Sequence, residues 1–248
     1  SIDNELNFYH RPAKVVGGDF YHAIKVSDEK IVYILADVMG HGIVSNYIVA
    51  MIKGCFKTLC YNYQTAAEIM NKLNVPIVVV AQYMDNYPCV YHDDFNAAKY
   101  MTEYLIGKGH KNIGFIGVYE EDRSVGLERE NGYIAALKEN DLEVDMENLK
   151  LGDFSYESGY EVTKKIIKKK NIPTAIFAVT DNLAIATIDC LKDNGLNVPE
   201  DVAVVSIGDT RISQVVSPKL TTIHYHYKTS GRKSAEIMIE LLKSGIKT

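Results

Sequence analysis

The chain has 248 residues, of which 47% are hydrophobic and 24% are charged, and its formal net charge is −5. This composition is that of a soluble globular protein with enough chain for one large domain or two small ones. The negative charge disfavours nucleic acid as a partner, and no apolar run reaches the roughly 18 residues that a membrane span needs. The four cysteines form no CxxC pair, which favours a reduced, cytoplasmic location over a disulfide framework.

The front third of the chain combines strand-like runs with two helical stretches. Strands are predicted at residues 6–10, 19–26 and 30–37. A helix is predicted at residues 43–62, where apolar side chains recur at a spacing of four. A second helix is predicted at residues 64–74, because Thr65 followed by Glu68 is a capping-box pattern.

From Val75 onward, apolar runs alternate regularly with helical patterns. Strands are predicted at residues 75–82, 112–118, 174–179 and 201–208. Helices are predicted at residues 93–110, 127–140, 156–170, 181–195 and 229–245. Because strands alternating with helices of this length form parallel sheets, the pattern predicts an α/β fold with helices flanking a parallel sheet. The run at residues 75–82 is apolar throughout, which predicts a strand buried on both faces.

Several charged residues lie where parallel α/β proteins bind ligands, at strand ends beside helix N-termini. Asp181 follows one predicted strand, and Asp93 opens a predicted helix. The general alternative for both residues is helix capping. Arg129 lies in the first turn of its helix, where a cation does not favour the helix dipole. We therefore expect a carboxylate, phosphate or sugar hydroxyl beside Arg129.

Residues 75–248 resemble the effector-binding core of LacI/GalR-type transcriptional regulators, which has a periplasmic-binding-protein-like fold of two lobes. The resemblance is carried, in order, by stretches that include "VPIVVVAQ", "RENGYIAALKE", "GDFSYESGYE", "PTAIFAVTDNLAIATIDCL" and "SPKLTTI". It implies that Arg129, Asp181 and Phe154 contact the ligand, and we add Asp93 to this predicted set. The family often has Asp after the first of these strands, whereas this chain has Ala81.

This resemblance implies a domain at residues 75–248 whose second lobe spans about residues 109–217. Remnants of its first lobe are expected at residues 75–90 and 224–246. The expected function is sensing of a small-molecule effector, a sugar or sugar phosphate, without a cofactor. No helix-turn-helix pattern is recognisable, so we expect no direct DNA binding by this chain, no membrane partner, and a homodimer as the candidate assembly.

Residues 7–74 resemble a different family, the SpoIIE/RsbU-type members of the PPM metal-dependent phosphatases. The motifs are "GGDFY" and "ADVMGHG". They imply that Asp19, Asp37 and the carbonyl of Val38 would bind Mn²⁺ or Mg²⁺, because hard cations prefer oxygen ligands. The later aspartates of that family are not found, so we expect a fragment without turnover. The alternative is an enzyme, a serine/threonine phosphatase completed by other residues.

The two resemblances together indicate a chimera with a join in residues 70–79. The first segment would then be a partial phosphatase-like domain at residues 1–74. Two arrangements of it remain open. Residues 30–37 could complete the truncated first lobe as a parallel strand, with residues 43–61 as its covering helix, or the segment could fold separately.

Overall fold

A computed structural model describes the backbone of residues 17–27, 30–41 and 76–244, and the side chains of residues 76–244. The chain divides into two compact units. One comprises Ser1–Pro76 with Ile246–Thr248, and the other comprises Ile77–Gly245. The division lies within the segment where the sequence predicts a join.

The first unit contains an antiparallel hairpin of strands β1 (Gly17–Ser27) and β2 (Lys30–His41). Asp19 lies directly opposite Asp37 in the register. Within the described part of the chain, β2 pairs with β1 in antiparallel orientation, and both arrangements considered for this segment stay predictions. The strand predicted at residues 6–10 and the helices predicted at 43–62 and 64–74 lie outside the described residues.

In the second unit, strands β3 (Val79–Val80) and β4 (Cys89–Val90) form a small parallel sheet of their own. The long buried strand predicted at residues 75–82 is therefore wrong in both length and burial, because Val80 is 49% exposed. The physical reason is that β4 is its one sheet neighbour within the described residues.

The main sheet of the second unit has five strands, all parallel. In chain order they are β5 (Ile113–Val118), β6 (Leu149–Gly152), β7 (Ala175–Ala178), β8 (Ala203–Gly208) and β9 (Thr221–His224). Their spatial order is β6–β5–β7–β8–β9. The predicted parallel α/β fold is confirmed, and the predicted strands at 112–118, 174–179 and 201–208 are neighbours as expected. Every residue of β5 and β7 is buried, as expected where helices cover both faces of a sheet.

Helices of the second unit follow the strands closely. They are α1 (Asp94–Gly107), α2 (Arg129–Glu139), α3 (Tyr156–Ile167), α4 (Asp181–Asp193) and α5 (Tyr227–Ser244). A π-helical turn at Arg123–Glu128 leads into α2, and a 3₁₀ turn at Arg211–Gln214 follows β8. The connection from β5 to β6 runs toward one edge of the sheet, whereas the connections from β6 onward run toward the other edge. Because crossovers between parallel strands are right-handed, α2 and α3 cover opposite faces of the sheet. The reversal creates a switch point between β5 and β7, where α/β proteins bind ligands.

A close helix contact brings the switch-point residues together. An added Cβ on Gly132 of α2 would lie 2.2 Å from the Phe95 carbonyl oxygen in α1, so only glycine allows this approach. The next residue, buried Tyr133, stacks on Phe115 with ring centroids 4.8 Å apart. The Tyr133 hydroxyl also donates to the Ile113 carbonyl at 2.8 Å. These contacts fix the start of α2 beside the start of α1.

Candidate functional site

A cleft of about 430 Å³ lies at the switch point, above the carboxyl ends of the main-sheet strands. Its walls come from the segments that follow β3, β5, β7, β8 and β9. They are formed by Ala81, Gln82, Asp122, Ser124, Val125, Arg129, Thr180, Asp181, Asn182, Ile207, Gly208, Thr210, Ile212, Tyr225 and Tyr227. The cleft therefore combines hydroxyl and amide groups with apolar and aromatic side chains, the usual lining of a small-molecule site.

Arg129 lines this cleft but directs its charge into the protein. Its Nη2 and Nε lie 2.6 and 2.7 Å from Oδ1 of Asp94, and both side chains are buried. Its Nη1 donates to the Val179 carbonyl at the end of β7. The Tyr225 ring centroid is 5.4 Å from the guanidinium carbon. The carboxylate partner expected beside Arg129 is thus Asp94, a residue of the protein itself.

Asp181 also lines the cleft, and its carboxylate is saturated by hydrogen bonds from the protein. Oδ1 accepts from the hydroxyls of Ser206 at 2.5 Å and Thr222 at 2.8 Å. Oδ2 accepts from both the backbone N–H and the hydroxyl of Thr210 at 2.7 Å. The carboxylate fills the space that a side chain at Gly208 would need. Asp181 therefore ties the start of α4 to β8, to β9 and to the segment after β8.

Helix capping explains the position of Asp93 but not that of Asp181. Asp93 caps α1, accepting a hydrogen bond from the Asn96 backbone N–H at 3.0 Å. For α4 the cap is Thr180, whose hydroxyl accepts from the Leu183 N–H at 3.4 Å. Asp181 is instead the first helical residue, where a negative charge favours the dipole.

The four predicted ligand residues do not share one cavity. Arg129 and Asp181 line the cleft, whereas Asp93 lines a neighbouring cavity and Phe154 a third one. Phe154 is 47% exposed, and its carbonyl accepts a hydrogen bond from Asn182 at 2.8 Å. Their role in ligand binding stays a prediction.

The two tyrosines that follow β9 were not among the predicted site residues. Tyr225 and Tyr227 both line the cleft, with ring centroids 5.3 Å apart. The signal that could have found them is their position at the carboxyl end of a parallel strand. That signal was missed because the run that contains β9, "LTTIH", mixes polar with apolar residues.

Tyr225 links the cleft to His92 and Asp94, which lie at the start of α1. Its hydroxyl is 3.1 Å from both carboxylate oxygens of Asp94. Burial, followed by the nearby Asp94 charge, raises the pKa of Tyr225 to about 12, so the hydroxyl remains a donor. The His92 ring lies against Tyr225 with centroids 3.7 Å apart. Burial lowers the pKa of His92, which keeps a second positive charge away from Arg129.

The three residues expected to bind metal lie together on the front hairpin. Asp19 of β1 is the register partner of Asp37 of β2, and Val38 follows it. Two carboxylates and one carbonyl fall short of the six oxygen ligands or more that these cations take. Among the residues that the structure describes, no group of three His, Cys, Asp or Glu side chains could hold a metal ion. Metal binding by Asp19, Asp37 and Val38 stays a prediction.

Comparison with known proteins gives the class of the chain. Residues 102–248 match the model of the periplasmic binding protein-like domain, and the chain belongs to this family. Its relatives within the family are LacI-type repressors, and the chain matches their effector-binding core.

Two curated relatives illustrate this relationship. The HTH-type transcriptional repressor PurR of Actinobacillus pleuropneumoniae serotype 3 is 32% identical over 188 residues, which are 75% of this chain and 56% of that protein. Catabolite control protein A of Priestia megaterium is 36% identical over 158 residues, which are 63% of this chain and 48% of that protein. The chain thus spans about half the length of these curated relatives.

Solved structures show the same fold. A transcription regulator from Lactobacillus plantarum is 29% identical with a TM-score of 0.69, over 74% of this chain and 70% of that one. A LacI-family regulator from Escherichia coli, complexed with phosphate, has a TM-score of 0.68 at 22% identity, over 75% and 68%. Among the described residues, no helix has the length and apolar character needed to cross a membrane.

Proposed function

We propose that residues 77–245 bind a neutral, polyhydroxylated small molecule of the sugar class in the cleft, as the sensing part of a cytoplasmic transcription regulator. The observation that carries this proposal is that protein groups already pair with the two buried charged residues at the switch point, Arg129 and Asp181. Arg129 is paired with Asp94, and Asp181 accepts four hydrogen bonds from the protein. What remains for a ligand is hydroxyl, amide, aromatic and apolar surface, together with the Asp122 carboxylate, which caps the π-helical turn through the Val125 N–H and is itself unfavourable to an anion.

The same compensation argues against sugar phosphates, the other ligand class that the sequence suggested. An anion would have to compete with Asp94 for Arg129. Separating a buried ion pair costs about 3–5 kcal/mol because one charge is left buried without a partner. Among the residues that line the cleft, Arg129 is the one with a cationic side chain. A neutral polyol avoids this cost, since its hydroxyls can pair with Gln82 and Asn182 while one face stacks on Tyr227.

The proposed sensing step is closure of two lobes around the ligand. The main sheet supplies most of the cleft, while Ala81 and Gln82 come from the segment after β3. We expect millimolar affinity for monosaccharides, because Ala81 offers no side-chain hydrogen bond and each missing charged one costs about 1.5–3 kcal/mol. A homodimer remains part of this proposal.

The test is ligand-observed NMR of the full chain with glucose, galactose, ribose and glucose 6-phosphate. We expect a neutral sugar to bind, and Tyr227→Ala to weaken it about fivefold, as loss of an aromatic contact worth about 1 kcal/mol predicts. Tyr100→Ala is the matched control, because Tyr100 is an exposed tyrosine outside the described cavities. Preference for the phosphate, binding by no sugar, or equal effects of the two substitutions would overturn the proposal.

A second candidate function, phosphate ester hydrolysis, rests on the facing positions of Asp19 and Asp37 in the hairpin. We expect no Mn²⁺-dependent hydrolysis of p-nitrophenyl phosphate, because the later aspartates of the phosphatase family are not found in the sequence and two carboxylates with one carbonyl supply too few oxygen ligands. The rate should equal that of the Asp37→Asn variant. Manganese-dependent turnover that disappears in Asp37→Asn would show that the chain is an enzyme.

A further inference from the structure

A fourth cavity, of about 230 Å³, lies at the amino ends of β8 and β9, whereas the cleft lies at the carboxyl ends of the same strands. Its walls come from the end of α1, the middle of α4, the first residues of the two strands and the segments that precede them. No residue lines both this cavity and the cleft. It is therefore a separate site, and the function proposed above does not use it.

The floor of this cavity is apolar. Leu105 of α1, Ile188 of α4, Val204 of β8 and Leu220 before β9 all line it, and all four are buried. An apolar group that displaces water from such a surface gains free energy. The volume is below the roughly 300–1,000 Å³ of pockets that hold drug-sized ligands. The floor therefore suits a small apolar group, such as one aromatic ring or one branched alkyl chain.

The rim of the same cavity is cationic. It carries Lys108, His110 and Lys219, and no acidic residue lines the cavity. Within residues 76–244, none of the three forms an ion pair with an aspartate or glutamate. Lys108 instead lies over the Tyr104 ring, with its Nζ 5.4 Å from the ring centroid. The rim thus offers positive charge that no carboxylate of the described residues neutralises.

Hydrogen bonds orient the histidine of this rim. Nδ1 of His110 lies 3.0 Å from the Thr174 hydroxyl oxygen, and that hydroxyl donates to the Asn112 carbonyl at 3.3 Å. Because the hydroxyl proton is already used, Nδ1 is the donor in the shorter contact. Nε2 is then the ring nitrogen that has no partner among the described residues and remains for a ligand.

Backbone hydrogen bonds hold the walls of the cavity in place. After Gly109, whose φ is +96°, the chain turns back and the His110 N–H donates to the Leu105 carbonyl at 3.2 Å. On the opposite wall, the Leu220 N–H donates to the Ser213 carbonyl at 3.1 Å. A cavity whose walls are fixed in this way loses little conformational entropy when a ligand binds.

We propose that this cavity binds a small organic acid, whose apolar body covers the floor and whose carboxylate pairs with Lys108 and Lys219. Ammonium groups form charge-assisted hydrogen bonds with a carboxylate, which are stronger than those between neutral groups. An inorganic anion would leave the apolar floor uncovered, and a neutral ligand would leave the cationic rim unpaired. The inference goes beyond the proposed function and does not depend on it.

The test is ligand-observed NMR of the full chain with benzoate, phenylacetate and 3-methylbutanoate. Each acid is compared with its uncharged amide, and inorganic phosphate serves as an anion without an apolar body. We expect at least one carboxylate to bind, and its amide and phosphate to bind about fivefold or more weakly, since the amide lacks the charge and phosphate lacks the apolar contact.

Substitutions then test the cationic rim. Lys108→Ala with Lys219→Ala should weaken carboxylate binding about tenfold, the loss expected when charged hydrogen bonds are removed. The matched control is Lys138→Ala with Lys165→Ala, which removes two exposed lysines outside the described cavities and changes the net charge equally. The control pair should leave the affinity unchanged, and thermal melting checks the fold of each variant.

Amide chemical shifts of the unsubstituted chain locate the ligand without relying on any variant. We expect the carboxylate to change the shifts of Leu105, Val204 and Leu220 and to spare those of Asn182 and Gly208 in the cleft. Shift changes confined to the cleft would overturn the proposal. So would equal binding of acid and amide, equal losses in the two lysine pairs, or the absence of binding by all three acids.

Discussion

Replacing Asp94 by alanine lowers the free energy of unfolding by about 3–5 kcal/mol, because the buried guanidinium of Arg129 is left without its carboxylate. The substitution also removes the acceptor of the Tyr225 hydroxyl. Urea unfolding followed by circular dichroism measures this cost. The effect should be among the largest of any single substitution in residues 77–245.

Asp93 provides a matched control for this measurement. It is the adjacent carboxylate, it is exposed, and it caps α1. Asp93→Ala should cost only about 1 kcal/mol, the usual cost of losing a cap. The double variant Arg129→Met with Asp94→Leu should recover most of the loss, because it buries no unpaired charge. If Asp94→Ala and Asp93→Ala had equal costs, the ion pair would not have the central role assigned to it.

Replacing Asp181 by alanine should cost about 3 kcal/mol or more, since each buried donor left without an acceptor costs about 1–3 kcal/mol. The hydroxyl of Ser206 is fully buried and would lose its acceptor, as would the hydroxyl and N–H of Thr210. Sugar binding should weaken as well, because the segments after β7 and β8 that form the cleft are no longer held together.

The control for this second substitution lies on the same helix. Asp193 ends α4, where it accepts one exposed hydrogen bond from Tyr160 at 2.9 Å. Asp193→Ala should change the free energy of unfolding by less than about 0.5 kcal/mol, as surface substitutions generally do. Similar unfolding midpoints for the two variants would contradict the role of Asp181 as a structural tie.

The structural contacts of Arg129 and Asp181 change how a loss of sugar binding in their variants is interpreted. The resemblance indicated Arg129 and Asp181 as ligand contacts, and in the structure each nitrogen of the Arg129 guanidinium and each carboxylate oxygen of Asp181 already has a protein partner. A variant of either residue that fails to bind sugar therefore does not demonstrate a contact. Tyr227 is the better probe, because it lines the cleft and is 58% exposed.

The sequence predicted the main sheet where its signals were long. The runs that became β5, β7 and β8 are apolar, are followed by helical patterns, and are buried as expected. Strands β4, β6 and β9 lie in the runs "PCVYH", "LKLGD" and "LTTIH", which mix polar with apolar residues. They lack the continuous apolar run that revealed β7, which is itself only four residues long. The prediction of a long buried strand at residues 75–82 was wrong for a different reason. The burial of that run depends on neighbouring strands rather than on its own composition.

The partners of the charged residues could not be predicted from local patterns. A carboxylate beside Arg129 was expected, but Asp94 is 35 positions away and reaches it only because α1 and α2 touch at Gly132. Likewise, the hydroxyls around Asp181 come from β8, β9 and the segment between them. Sequence reasoning identified charges at the switch point correctly and could not show that the fold compensates them.

The central claim is that a neutral sugar occupies the cleft at the switch point, and amide chemical shifts measured by ¹H–¹⁵N NMR test it most directly. The full chain would be titrated with whichever probe sugar binds best and, separately, with glucose 6-phosphate. If a neutral sugar occupies the cleft, it should change the chemical shifts of the amides of Asn182, Gly208 and Tyr227. The phosphate should cause smaller changes at the same concentration. Sugar-induced shifts that spare these three residues, or larger shifts with the phosphate, would contradict it.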